Sequence, residues 1–351
     1  MAPKETSSNE GLQTLKQHIK RNEFAPLYFF YGDERYLQEH YLSVLKKKLV
    51  SGPMEEFNYR HLTAETFSLP ALHDAVEALP MMAEYTLVQV DDVNPFTRDE
   101  STRNDLAELF SDLPDTCCLL FYFDTESYKP DGRYKNLTAA VEKYATRVEF
   151  AKQSAHELAE WISRHFRALE KTISPDLCQH LIFLTGGDMT TLHSEIAKVA
   201  AYSRSPAITK VDIDTVVEPV LTAVMFDITD ALAEGNYDKA LGKLREVLQT
   251  REDPIAILAT VGGHFRKLLT AKANAAAGRG ADGLKSLLGS NSDFYCRKVA
   301  SQAAKVSEEF CMKAVEACYD MDCKLKSNVS QAEGEQLLYH LLLTLAQEAA
   351  K

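Results

Sequence analysis

The spacing of apolar residues changes once along this 351-residue sequence, near residue 150. Before that point, short continuous apolar runs alternate with stretches that carry apolar residues at helical spacing; beyond it, only the helical spacing continues. Continuous apolar strands separated by helices are typical of a parallel sheet covered on both faces. The sequence therefore predicts an α/β region followed by an all-α region, and its length favours two or three domains.

The α/β region is predicted to form a domain over residues 1–152. Its strands are expected at five apolar runs, Leu27–Tyr31, Phe57–Leu62, Tyr85–Val90, Cys117–Phe123 and Arg147–Phe150. Helical spacing between them is found at Tyr36–Leu49, Leu69–Leu79 and Leu106–Leu113.

The all-α region is predicted to divide near Pro219. Residues 153–219 are expected to form a small domain of four helices. Its signals are the Ser154–Glu157 capping box, the Ser174-Pro175 pair, the break at Gly186-Gly187 and the short stretch Thr209–Val217.

Residues 220–351 are predicted to form a third domain, helical throughout. The expected helices run from Asp253-Pro254 to about Ala277, over Phe294–Lys326 as one helix or as two that meet at Ser307, and over Ser330–Ala349 behind a second capping box, Ser330 with Glu333. Loops are expected at Gly278–Gly283 and Gly289–Asn291.

Composition excludes several classes of function. A net charge of −12 argues against a protein whose main task is to grip a phosphate backbone, so any nucleic-acid contact requires a local basic face or a partner. No apolar run approaches the roughly 18 residues of a membrane helix, and residues Met1–Gly11 lack the apolar core of a secretion signal. We therefore expect a cytoplasmic protein.

The seven cysteines and ten histidines do not form a metal-binding pattern, because the sequence contains no C-x-x-C or H-x-x-x-H pair. We predict free, mostly buried thiols, no metal and no cofactor.

An α/β domain followed by a small helical one suggests an ATPase, so a phosphate-binding loop is expected after the first strand. That strand ends at Gly32, where a G-x-x-x-x-G-K-[ST] motif would begin. The positions of its second glycine, lysine and hydroxyl residue hold Leu37, Gln38 and Glu39. The groups that contact the phosphates and magnesium are therefore missing, and Glu39 would repel a triphosphate. The sequence predicts the strand–turn–helix geometry without nucleotide binding.

Two other motifs are weak. Asp91-Asp92 ends a predicted strand, as the magnesium-binding Walker B carboxylates do, but without a phosphate loop we interpret the pair as solvated or capping. Gly278, Gly280 and Gly283 match the G-x-G-x-x-G pattern, yet they follow a predicted helix where the dinucleotide motif requires a strand. We interpret them as an interhelical loop. No nucleophile motif such as G-x-S-x-G is present, so no catalytic site is predicted.

A helix over Ser68–Leu79 is expected to end at Pro80, since proline cannot continue the backbone hydrogen bonds. Its inward face is predicted to carry Leu69, Leu72, Val76 and Leu79. Met81 and Met82 then fall on a short loop. Two interpretations are open: the methionines form an apolar tip that binds a partner, or they fold back over the helix end as core residues.

Four segments resemble, in order, the delta subunits of bacterial DNA polymerase III clamp loaders. They are Tyr28–Leu37 (YFFYGDERYL), Glu77–Val88 (EALPMMAEYTLV), Gly187–Tyr202, and Tyr319–Lys326 with Glu335–Leu338 and Leu341–Leu343. The resemblance spans about residues 24–346, and four motifs in register across three domains are hard to produce by chance.

The resemblance implies an AAA+-like parallel-sheet domain, a small helical lid and a C-terminal helical collar. It implies a non-catalytic subunit of the polymerase holoenzyme that binds the β sliding clamp and opens it for loading onto primed DNA, without hydrolysing ATP itself. The implied partners are the clamp, the γ/τ and δ′ subunits through the collar, and primer–template DNA within the complex, with no membrane and no small-molecule substrate.

The resemblance also assigns the clamp-binding element to Leu79, Pro80, Met81 and Met82, where family members insert a leucine or phenylalanine pair into a pocket of the clamp. Basic residues of the collar are interpreted as solvated helix faces or, for a few, as the lining of a DNA channel. The DNA-facing candidates are Arg266, Lys267, Lys272, Lys324 and Lys326; Lys298 and Lys305 are further basic residues of the predicted collar helices. The alternative functions are a divergent AAA+ or polymerase-type nucleotide enzyme that uses Asp91-Asp92, and a helical scaffold of another replication or repair complex.

Overall fold

The computed structural model describes residues 8–52, 54–249, 252–290, 292–327 and 330–350. The chain forms two compact units, Met1–Lys152 and Gln153–Lys351. Asn291, predicted to lie in a loop, and residues 1–7 of the predicted polar N-terminus fall outside the described residues. The division of the helical region near Pro219 stays a prediction.

The first unit is built on a five-stranded sheet in which neighbouring strands are parallel, in the order β2-β3-β4-β1-β5. The strands are β1 (Leu27–Tyr31), β2 (Tyr59–Leu62), β3 (Thr86–Asp91), β4 (Cys117–Tyr122) and β5 (Thr146–Glu149). The predicted parallel α/β region is therefore confirmed. Only β2 begins more than one residue from its predicted start, because Glu55–Asn58 forms a short helix in front of it.

Helices cover both faces of this sheet. They are α1 (Ser8–Arg21), α2 (Arg35–Leu49), α3 (Glu55–Asn58), α4 (Leu69–Val76), α5 (Glu100–Ser111) and α6 (Lys135–Tyr144), with a 3-10 turn at Pro95–Thr97. Because successive strand side chains point to opposite faces, Tyr28 and Phe30 of β1 enter a core shared with α1 and α2. Phe29 enters the other core, with Phe110 of α5. Packing on both faces fixes β1 and hence the turn that follows it at Gly32.

Helix α1 was not among the predicted elements, since the first residues were interpreted only as a polar N-terminus. Its buried Leu15, with the partly buried Leu12 and Ile19, packs in the same core as Tyr28. Three apolar residues at helical spacing are enough here because the sheet supplies the rest of the core.

The second unit is all-α in the residues that the structure describes. Its helices are α7 (Ala155–Ala168), α8 (Pro175–Thr185), α9 (Met189–Tyr202), α10 (Lys210–Val216), α11 (Leu221–Ala233), α12 (Tyr237–Gln249), α13 (Pro254–Ala276), α14 (Ala281–Leu288), α15 (Asp293–Lys305), α16 (Glu308–Leu325) and α17 (Gln331–Ala349). The capping boxes that open α7 and α17 are both formed as predicted. The helix break at Ser307 is also observed, since its hydroxyl accepts a hydrogen bond from the Phe310 N–H and begins α16.

The loop is shorter than the predicted Gly278–Gly283, because α14 begins at Ala281. Gly283 lies inside that helix, where glycine permits close packing on α13. A Cβ atom at this position would lie 3.0 Å from the side-chain oxygen of Asn274. The glycine pattern here therefore reflects the approach of two helices as well as a turn.

The predicted state of the cysteines is confirmed. All seven lie in the described part of the chain as free thiols; six are buried and Cys323 is exposed. In the same part of the chain, none of the helices is both long enough and apolar enough to span a membrane.

Candidate functional site

Helix α4 ends earlier than predicted, at Val76 rather than at Leu79. Pro80 explains this end, since it has no N–H to donate to the Val76 carbonyl and its ring would clash with that group in a continued helix. The residue before a proline is also disfavoured in helical conformation. The prediction that Leu79 faces inward is therefore wrong: its side chain is 85% exposed. Leu72 and Val76 are buried as predicted.

Residues 77–85, which we call the methionine loop, connect α4 to β3. Met81 is 47% exposed and Met82 is 85% exposed. The interpretation of the two methionines as core residues is therefore wrong. Met82 has a φ of 54°, in the left-handed region that costs a side-chain-bearing residue about 1 kcal/mol or more. The loop thus presents apolar side chains to solvent from a backbone conformation that needs support.

That support comes from Asn58, the last residue of α3. Its side chain is buried, and its Oδ1 accepts a hydrogen bond from the Met81 N–H at 2.6 Å while its Nδ2 donates to the Met81 carbonyl at 2.9 Å. Sequence reasoning missed this residue, which was placed within a predicted strand. The available signal was that asparagine is depleted in strands and frequent where a side chain bonds to backbone.

A fourth exposed apolar residue lies next to this support. Phe57 precedes Asn58 on α3, and its side chain is 53% exposed. Together with Leu79, Met81 and Met82 it brings four large apolar side chains to the surface of one unit. Exposed apolar side chains are unremarkable singly, whereas a contiguous group of them is typical of partner-binding surfaces.

The turn at the predicted nucleotide position is occupied by the chain itself. Gly32 has a φ of 126°, and a Cβ there would lie 2.4 Å from the Phe150 carbonyl oxygen. That same oxygen accepts a hydrogen bond from the Glu34 N–H at 2.8 Å. Gln38, at the position of the phosphate-binding lysine, is buried and donates through Nε2 to the Gly32 carbonyl at 2.9 Å. The turn is therefore closed against the end of β5.

The other two residues of this region lie at its surface or edge. Glu39 is exposed and pairs with Arg35 at 3.0 Å, and Arg35 also contacts Asp124 at 2.7 Å. Leu37 is partly buried beside the core under α2. A carboxylate and an apolar side chain thus stand where a triphosphate and its magnesium would require a hydroxyl and a glycine.

Asp92 acts as a cap for the loop after β4. Its carboxylate accepts hydrogen bonds from the N–H groups of Asp124, Thr125 and Glu126 and from the Thr125 hydroxyl, at 2.7–3.1 Å. Burial acts to raise the pKa of Asp92, but these hydrogen bonds outweigh it and hold the pKa below its ordinary value. The predicted capping role is therefore what the geometry shows.

Asp91 is held in a different network. Its two oxygens lie 2.7 Å from Gln89 Nε2 and 2.6 Å from His61 Nε2. Both aspartates are thus engaged by side chains or backbone. Among the described residues, no group of three or more potential ligands is placed to hold a metal ion.

The closed turn predicts that the isolated chain does not bind ATP. A bound phosphate would have to displace Gln38 from the Gly32 carbonyl and overcome repulsion by Glu39, with no lysine to offset either cost. Equilibrium binding of labelled ATP with magnesium should give a dissociation constant no tighter than millimolar. A micromolar constant would show that the turn opens and would restore the nucleotide-enzyme alternative.

The candidate DNA-facing residues do not form one surface. Arg266, Lys267 and Lys272 all lie on α13, but at about 100° per residue they point in three directions around it. Lys324 and Lys326 lie at the end of α16, and Lys326 is paired with Asp322 at 2.6 Å. Of the two further basic residues, Lys305 pairs with Asp230 at 2.9 Å and Lys298 lies over the Phe183 ring at 4.2 Å. Their DNA-facing role stays a prediction.

Two protein-family models match this chain. A family model described as "DNA polymerase III, delta subunit" matches residues 28–151, and one described as "DNA polymerase III delta subunit, C-terminal domain" matches residues 222–345, together more than two thirds of the chain. The chain belongs to the DNA polymerase III delta subunit family. The first match contains the methionine loop, Asn58 and the closed turn of this delta-family chain.

A curated protein and a solved structure are also similar to this chain. The DNA polymerase III subunit delta of Bacillus subtilis is 25% identical over 331 residues, which cover 93% of this chain and 94% of the relative. The solved structure of the Bacillus subtilis DNA clamp loader delta protein has a TM-score of 0.60 at 24% identity and covers 96% of this chain and 99% of its own. The parallel-sheet domain followed by helical regions, predicted for this delta-family chain, is therefore confirmed as its fold.

Proposed function

We propose that this chain binds the sliding clamp through the methionine loop and opens the ring for loading onto primed DNA, as the delta subunit of a clamp loader. The observation that carries the proposal is the exposure of Leu79, Met81 and Met82 on a loop whose backbone is held by Asn58. A fixed apolar tip is suited to insertion into an apolar pocket of a partner.

Methionine suits such a tip in one respect and weakens it in another. Its unbranched, polarizable side chain adapts to an irregular pocket, and burying one methionine stabilises a complex by roughly 1.5–3 kcal/mol. It also loses more rotamer freedom on binding than phenylalanine does. We therefore expect the loop backbone to be ordered before binding, since that order reduces the entropy lost in the complex.

The energy for the loading cycle is proposed to come from other subunits. Because the turn at Gly32 is filled by the chain itself, ATP would be bound and hydrolysed by neighbouring γ/τ subunits. Clamp binding would then select the state in which the methionine loop is accessible, and hydrolysis in the neighbours would withdraw it. The chain would thus be a non-catalytic part of the polymerase holoenzyme.

Assembly is proposed to use the helical regions. Residues 220–351 would form the collar that joins the γ/τ and δ′ subunits, and residues 153–219 the lid that links the collar to the sheet domain. Primer–template DNA would contact the chain only within that cytoplasmic complex, since the net charge of −12 opposes binding by the chain alone.

The test is a titration of the purified chain into a sliding clamp labelled on both sides of one subunit interface. We expect binding in the micromolar range or tighter, without nucleotide, and a change in the distance between the labels when the interface opens. The helical-scaffold alternative predicts no binding to the ring. Binding without any change between the labels would leave the chain a clamp-binding subunit and contradict the opening step.

A further inference from the structure

We infer that Asn58 is the positioning residue of the methionine loop: its buried amide group brackets the Met81 backbone and holds the loop in its partner-binding conformation. This inference rests on the proposed function of the loop. It names a residue that lies 23 positions away in the sequence and does not itself need to touch the partner.

The hydrogen bonds define the inference. A side-chain amide has one acceptor and one donor group, as a peptide does. Asn58 uses both on the same residue, accepting from the Met81 N–H at 2.6 Å and donating to the Met81 carbonyl at 2.9 Å. Two bonds to one residue fix its orientation as well as its position, as a neighbouring strand would.

Asn58 is itself held firmly enough to serve this purpose. Its side chain is 2% exposed, and its backbone N–H donates to the Met54 carbonyl at 3.2 Å in the turn of α3. It is also the residue directly before β2, which pairs with β3 from Tyr59 and Leu87 onward. The strand pair that frames the loop therefore also anchors the side chain that holds it.

The hydrogen bonds of Asn58 to Met81 also affect the following residue, Met82. Its left-handed backbone conformation is unfavourable by itself and persists where surrounding structure enforces it. With the Met81 backbone fixed, the chain enters Met82 from a set direction and the side chain is left 85% exposed. Without Asn58, the loop would sample other conformations, and the apparent affinity for a partner would fall in proportion to the population of the competent one.

The variant Asn58→Ala tests the inference. We expect clamp affinity to fall about tenfold, as for a loop that is competent about one tenth of the time. Asn58→Asp keeps the size and the acceptor but loses the donor, so its clamp affinity should fall by less than that of Asn58→Ala. It replaces the alanine variant if that variant does not fold. The matched control is Asn94→Ala in the same unit, whose side chain likewise accepts from the Phe96 N–H and donates to the Ser127 carbonyl. It should leave clamp affinity unchanged.

A second readout does not depend on the clamp. The chain has eight methionines, so ¹⁵N-methionine labelling gives a small set of amide signals in which the exchange of the Met81 N–H can be followed by NMR. Exchange should be slow in the unmodified chain and in Asn94→Ala, and much faster in Asn58→Ala. Unchanged Met81 exchange in Asn58→Ala would overturn the inference, whatever the clamp does.

The two readouts separate the inference from the proposed function. If the unmodified chain fails to bind the clamp, the proposed function is wrong, and the Met81 amide still decides the role of Asn58. If the chain binds the clamp and Asn58→Ala binds equally well, the positioning role is wrong. In a chain that already carries Leu79→Ala, Met81→Ala and Met82→Ala, Asn58→Ala should change affinity less than about twofold, because it acts only through the apolar side chains of that loop.

Discussion

Replacement of both Met81 and Met82 by alanine is expected to weaken clamp binding by about 2–4 kcal/mol, on the order of 30- to 1,000-fold. The reason is that Met82 is 85% and Met81 47% exposed in the free chain, and both would be buried further in the complex. The same exposure means that their removal leaves no cavity in the folded chain. The melting temperature and assembly with δ′ should therefore be nearly unchanged, in contrast to a core substitution, which lowers the melting temperature by several degrees.

The measurement is a clamp titration of the double variant beside a thermal melt of the same preparation. Met312→Ala with Leu287→Ala is the control, because these side chains are 48% and 50% exposed, close to the value for Met81, and lie on α16 and α14. It removes two exposed apolar side chains outside the methionine loop and should leave clamp affinity unchanged. A double methionine variant that melts early yet still binds the clamp normally would remove the loop from the proposed mechanism.

The position of this loop could be predicted from the sequence, but its geometry could not. Pro80 indicated a helix end and Met81-Met82 a loop because both signals are local. The helical spacing Leu69, Leu72, Val76, Leu79 then suggested an inward Leu79. Spacing cannot show that the helix stops one turn before the proline, which is why that prediction was wrong.

Residues that act across the fold were harder to find. Asn58 and Met81 come into contact only when β2 pairs with β3. Their contact therefore cannot be predicted from the residues next to either of them in the sequence. The same holds for Gln38. The motif shows that Gln38 stands where a phosphate-binding lysine would be, but its hydrogen bond to the Gly32 carbonyl depends on how the turn closes. The absence of the phosphate-binding residues could be predicted from the sequence. The contacts that the residues in their place make could be seen only in the structure.

A buried histidine in the second unit makes the stability of that unit dependent on pH. His264 of α13 lies 2.7 Å from Gln302 Oε1 through its Nε2, and Gln302 Nε2 donates to the Phe226 carbonyl at 2.8 Å. Because the glutamine nitrogen faces a carbonyl, its oxygen faces the histidine, and neutral His264 carries its proton on Nε2. Burial, partly offset by the hydrogen bond that His264 donates to Gln302 Oε1, lowers the pKa of His264 to about 4.

The direction of the effect follows from the two protonation states. The pKa of this histidine is about 6.5 in the unfolded chain and about 4 in the folded one. Between these values the unfolded chain binds more protons, so the free energy of unfolding rises with pH. The contribution is fully present above pH 6.5 and is lost as the pH falls through 4. A pKa difference of that size corresponds to about 3 kcal/mol.

The variant His264→Phe should abolish this contribution while keeping the size of the side chain. It is expected to be less stable than the unmodified chain at pH 7, since it leaves the Gln302 oxygen unpaired. Urea unfolding followed by the fluorescence of Trp161, the single tryptophan, reports on this unit. Between pH 6.5 and 4, the difference in unfolding free energy between the two chains should shrink by about 3 kcal/mol.

His340→Phe, at an exposed position on α17, is the control and should keep a constant difference. A difference for His264→Phe that stays equally constant would mean that the buried histidine is already protonated or that water reaches it.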